Sequence, residues 1–207
     1  MGRKFASIHI LNSNIEEVLI RLGRCREDHQ TNSSNSNLKT SVPNKLASVL
    51  NVIQTSKPLE ATFYLTEVNG SVSVYSEYFK TQVIKEHVKN WFIWFDKYVL
   101  SVDYFDDEFL DINIFKKYKF ETSLVDGLSL NDYGLNKTRF DPEKICEIFN
   151  VHPVQVEQAY CQEDIFKTCN NFAELFHLPL TLSTFDAMNS EQFQFEKETF
   201  YLGFSIG

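Results

Sequence analysis

Five carboxylates fall within nine residues: Asp103, Asp106, Asp107, Glu108 and Asp111. At that density carboxylates have three uses. They hold a hard cation through oxygen, present a negative surface to a basic partner, or keep a turn solvated. An EF-hand loop needs carboxylates at alternate positions, a central Gly and a terminal Glu. Here Asp103, Asp107 and Asp111 are spaced by four and no Gly intervenes. A metal reading therefore rests on Asp103, Asp107 and Asp111, and no cofactor is implied. If the segment is a hairpin, Asp103 and Asp111 lie on opposing strands with their side chains on one face. There they share a cation or repel each other.

An acid-base group would come from one of the histidines: His9, His29, His87, His152 or His177. His9, in an apolar strand, pairs with Glu86 or Asp103 in the reading that makes the chain a metal-assisted hydrolase, and His87 is the other option. Each has a bland reading too. His87 flanks the apolar face of a helix, as a hydrogen-bonded core-edge residue does. His152 precedes Pro153 at a helix start, and His177 ends a helix, where a cation suits the dipole. No nucleophile elbow, zincin helix, phosphate loop or dinucleotide fingerprint is present. The balance leans away from an enzyme.

Charge points to a partner. The net charge is −8, and residues 141–207 carry eleven acids against three lysines, which is all of it. Such a segment repels phosphate backbones and favours a protein partner with a basic surface. Residues 145–164 have the rhythm of a helix-turn-helix, the basis of a weaker reading as a regulator. Its would-be recognition helix, from Pro153 to Asp164, has no Lys or Arg for phosphate contacts. Nucleic acid is not an expected partner. The acidic turn, together with Tyr104 and Trp94 as aromatic anchors, makes the expected docking surface.

The elements that must position these residues follow from pattern. Phe5–Leu11 reads as a nearly all-apolar central strand. Residues 12–22 read as a helix with Ser13 as N-cap and Glu16 as its capping-box partner. A polar loop fills 25–45, and a short helix is expected over 44–53. Asn69-Gly70 joins two strands, 61–67 and 72–76, as a hairpin. A helix spans about 81–96, with Ile84, Val88, Trp91, Phe92 and Phe95 on one face. Strands at 98–102, 109–115 and 119–125 frame the acidic turn. Asp141 with Pro142, Pro153, and Glu163 or Asp164 start three short helices, and the tail alternates as one or two late strands.

Gly70-Ser-Val-Ser-Val-Tyr-Ser-Glu-Tyr78, a helix, and a strand ending in Tyr104-Phe-Asp-Asp107 resemble small acidic proteins of Gram-positive bacteria, some similar to immunity proteins that accompany polymorphic toxins. The resemblance covers residues 60–125. It implies a bacterial protein whose work is to bind another protein.

The expected fold is α+β. Residues 1–125 form a mostly antiparallel sheet with helices on one face, in an order compatible with a ferredoxin-like arrangement. Residues 140–207 form an acidic helical subdomain with late strands. Four cysteines without Cys-x-x-Cys spacing, no secretory signal and no apolar run of about 20 residues point to a reducing, cytoplasmic setting and no membrane. The function expected is a non-catalytic protein-binding module of the immunity or inhibitor kind. The alternative is the metal-assisted hydrolase.

Overall fold

The computed structural model describes residues 3–22, 59–79, 83–89, 95–161, 164–189, 191 and 193–202. The expected loop at 25–45, the helix at 44–53, His29 and Trp94 lie outside them. The chain is α+β. Strands β1 (Lys4–Ile10), β2 (Leu59–Val68), β3 (Ser71–Tyr75), β4 (Tyr98–Phe105), β5 (Phe109–Lys116), β6 (Lys119–Gly127) and β7 (Glu196–Leu202) form one sheet in the order β6-β5-β4-β1-β3-β2-β7. Every neighbouring pair is antiparallel. With α1 (15–22) after β1 and α2 (Ile84–His87) after β3, the β4-β1-β3-β2 portion has the ferredoxin-like order. The β5–β6 meander extends it on one side and β7 closes the β2 edge.

Local chemistry explains the joints. Asn69 and Gly70 adopt φ of +52° and +70°, the left-handed pair that a tight hairpin between right-twisted strands needs. The start of α1 sits one residue later than the sequence pattern implies. Asn14 Oδ1 accepts from the Glu17 amide at 2.9 Å, so Asn14 is the cap, while the Ser13 hydroxyl donates to the Glu17 carboxylate. The Ser13 amide donates to the Gly70 carbonyl at 3.0 Å, tying α1 to the β2–β3 turn.

Side chains alternate across a strand, so the sheet has two covered faces. On the first, Ala6, Ile8 and Ile10 of β1, Phe63 and Leu65 of β2, and Val72 and Val74 of β3 pack with Val18 and Leu22 of α1, Ile84 of α2, Val88 and Phe95. On the second, Leu100, Val102 and Tyr104 of β4 and Leu110, Ile112 and Ile114 of β5 meet three helices: α3 (Pro142–Phe149), α4 (Pro153–Ala159) and α5 (Ile165–Phe176). Asp141 caps α3 with Pro142 behind it, and the buried Phe140 and Ile145 sit as the staple the pattern implies. His152 caps α4 in a capping box with Gln155, and Asp164 caps α5. The acidic helical stretch therefore shares one apolar cluster with the meander strands. A further helix, α6 (Thr184–Asn189), begins at Ser183, whose hydroxyl and Asp186 carboxylate bond at 2.6 Å.

Candidate functional site: a buried polar floor beside an acidic turn

The β4–β5 register sets Ser101 opposite Asn113 and Asp103 opposite Asp111. Two-residue alternation puts all four on the first face, in line with Val99 and Phe115 of its apolar cluster. They are 0%, 4%, 1% and 2% exposed. Four polar side chains thus replace the Val or Ile that a central sheet would bury at a gain, a substitution that costs free energy unless each group is bonded. Asp111 is well held. Lys85 Nζ lies 2.6 Å from its Oδ2, and Asn113 Nδ2 donates to its Oδ1 at 2.6 Å. The ammonium arrives from above because α2 crosses β1 and β4, anchored by the buried Ile84. The Lys85 side chain keeps 30% of its exposure, so the ion pair reaches the rim. Ser101 Oγ, fully buried, has no hydrogen-bond partner among the described residues.

The turn itself is a separate structure. Asp106 and Asp107 have φ of +50° and +60°, which Asp tolerates better than most residues. The Glu108 amide donates to the Phe105 carbonyl at 2.8 Å, closing the turn. The Tyr104 hydroxyl donates to Asp107 Oδ1, and the Tyr133 hydroxyl donates to Glu108 Oε2. Glu108 also accepts the Leu128 amide on its carbonyl at 2.9 Å. Gly127 permits that approach, since a Cβ there would lie 2.1 Å from the Glu108 carbonyl oxygen. Leu128 itself projects outward, 92% exposed.

These placements correct several expectations. Asp103 and Asp111 do face the same way, but Asp107 does not join them. It bonds Tyr104, whose ring lies on the second face, stacked on Phe5 at 4.8 Å. Among the described residues no group of three or more His, Cys, Asp or Glu is placed to hold a metal ion. His9 does not meet Asp103, because β1 presents it to the second face. There its Nε2 lies 2.8 Å from Ser7 Oγ and its Nδ1 lies 2.8 Å from Ser73 Oγ. Burial depresses its pKa to about 3, so the ring is neutral. Glu86 pairs with Lys89 at the surface. His87 packs beside Tyr78 and Phe79, and desolvation lowers its pKa against the opposing pull of Glu86. The hydrolase constellation of acidic turn plus histidine is not assembled.

The docking surface also changes. Tyr104 is wholly buried, and burial raises its phenol pKa, with Asp107 adding to the shift. Tyr104, Asp103 and Asp111 therefore offer no contact area to a partner. Asp107 is exposed, and Asp106 and Glu108 are half-buried. Sequence reasoning missed Ser101, Asn113, Lys85 and Leu128. The polar residues two apart in both strands, Ser101 with Asp103 and Asp111 with Asn113, were the available signal for the floor. The α3–α4 pair does form consecutive helices, but α4 seats Val156 and Ala159 inward and turns Gln155, Glu157 and Gln158 outward. None of those is basic. Among the described residues no helix is long and apolar enough to cross a membrane.

The fold and its two polar features define an α+β protein with a seven-stranded antiparallel sheet. Beyond that class, no family model, no curated protein and no solved structure matches the chain.

Proposed function

We propose that this protein is a non-catalytic protein-binding module that docks a basic partner at the β4–β5 turn, as an inhibitor or immunity protein does. The observation that carries this reading is Leu128. An aliphatic side chain 92% exposed stands directly on the acidic turn, where the Leu128 amide donates a hydrogen bond to the Glu108 carbonyl. The turn it bonds carries the exposed Asp107 and the half-buried Asp106 and Glu108, and the exposed Asp132 follows four residues after Leu128. The turn is braced by two phenols, so little side-chain freedom is lost when a partner arrives. Carboxylates there steer a cationic surface and Leu128 supplies the apolar contact.

The test takes candidate partners encoded beside the gene and measures association by stopped flow. The expected on-rate falls about tenfold from low to high salt, because steering is screened within a Debye length of about 10 Å at 0.1 M. Leu128→Ser is expected to speed dissociation with the on-rate unchanged. A salt-independent on-rate, or wild-type binding by Leu128→Ser, sinks the reading.

A further inference from the structure

We propose that the floor built by Ser101, Asp103, Asp111 and Asn113 is a site for a hard divalent cation of the Mg²⁺ or Mn²⁺ kind, and that the Lys85 ammonium competes for the same place. This does not rest on the docking function, since the floor lies on the first sheet face whereas Asp107 of the turn bonds Tyr104 on the second.

Three observations converge. The first is donor chemistry. Two directly cross-strand carboxylates and a hydroxyl two residues along β4 share one sheet face, all hard oxygen ligands, and Mg²⁺ is commonly held by one or two protein carboxylates with water completing the shell. The second is Ser101. Its Oγ is fully buried, makes no hydrogen bond among the described residues, and shares a face with both carboxylates. A buried hydroxyl without a partner forfeits free energy that a bound cation, or the water on one, restores. The third is Lys85. The floor already accepts a cationic group 2.6 Å from Asp111 Oδ2, from a side chain exposed enough to rotate out at the rim. Asn113 keeps the other Asp111 oxygen in place at 2.6 Å and acts as a positioning residue.

The experiment is a Mn²⁺ titration of the full chain, reading the loss of the free-ion EPR signal. Wild type is expected to take one ion weakly. Lys85→Met removes the tethered competitor and is expected to tighten binding about tenfold, whereas Ser101→Ala weakens it about tenfold. Ser101→Ala breaks no hydrogen bond, so its metal-free melting temperature should match or exceed that of wild type. Asp111→Asn abolishes the site. Asp106→Asn with Asp107→Asn leaves it intact. The proposal fails if neither wild type nor Lys85→Met binds Mn²⁺. It also fails if binding survives Asp111→Asn, or if the turn variant loses it, because the turn carboxylates are then the ligands. Should Asp111→Asn not fold, Ser101→Ala decides: unchanged affinity there overturns the assignment.

Discussion

Two buried polar clusters occupy the same sheet on opposite faces, and they are built differently. On the second face His9 uses both ring nitrogens, one on Ser7 and one on Ser73, and Tyr75 beside it donates its hydroxyl to the Pro179 carbonyl at 2.9 Å. Every polar atom named there has a partner. On the first face Asp111 is doubly held, Ser101 Oγ is not held at all, and the ion pair opens to the rim. Burial of polar groups is therefore a poor sign of function by itself. A closed network holds strands in register, and bonding capacity left over marks the place where a ligand adds something.

The strongest way to break this contrast is to remove the centre of the closed network. His9→Ala leaves a cavity and strips the partner from two buried hydroxyls. The expected loss is about 3 kcal/mol or more, read as a lowered urea midpoint with an unchanged slope. A loss under about 1 kcal/mol would mean that the network holds nothing.

Acid should reveal the same residue. Its folded pKa, about 3, lies below the unfolded value of 6.5, so the unfolded chain binds the extra proton. The stability this contributes is present above pH 6.5 and is lost as pH falls towards 3. Between about pH 7 and pH 5 the loss is about 2 kcal/mol. Ser7, Ser73 and Tyr75 around the ring are neutral and do not offset it. Denaturation of wild type and His9→Gln across that range checks this. The difference between them must shrink on acidification, and parallel curves refute it.

Lys85→Met probes the open cluster. Breaking a buried pair costs several kcal/mol, but Lys85 is partly exposed and Asn113 still holds Asp111. The expected loss is about 1–2 kcal/mol, recovered in part by millimolar Mn²⁺ if the floor takes the ion. Loss without recovery would leave the ion pair as a structural strut.

Much of this architecture was legible in the residues. The Asn69-Gly70 hairpin, the Asp141-Pro142 cap, the His152-Pro153 start and the strands flanking the acidic turn rest on local chemistry, which the sequence carries within a few positions. The floor was half legible. The hairpin reading set Asp103 across from Asp111, but Lys85 reaches Asp111 only through the crossing of α2 over β1 and β4, which no spacing encodes. The turn carboxylates read as one motif because they adjoin in sequence. The pleat divides them, sending Tyr104 with its Asp107 partner to one side and Asp103 with Asp111 to the other. Helix α6 had a readable signal in Ser183-x-x-Asp186, a reciprocal cap at the helix start.

The sharpest comparison is the smallest in energy. Ser73 and Ser101 are both fully buried serines in the middle of strands. Ser73 bonds His9 Nδ1 at 2.8 Å, and Ser101 Oγ bonds nothing among the described residues. The same deletion should therefore act with opposite sign. Ser73→Ala strands a ring nitrogen and is expected to cost about 1–2 kcal/mol. Ser101→Ala removes an unsatisfied hydroxyl and leaves a methyl packed against its neighbours, so stability should hold or rise by up to about 1 kcal/mol. Paired urea titrations without metal decide it. If Ser101→Ala proves as costly as Ser73→Ala, the Ser101 hydroxyl has a partner in the folded protein, and the distinction between a closed network and an open floor collapses.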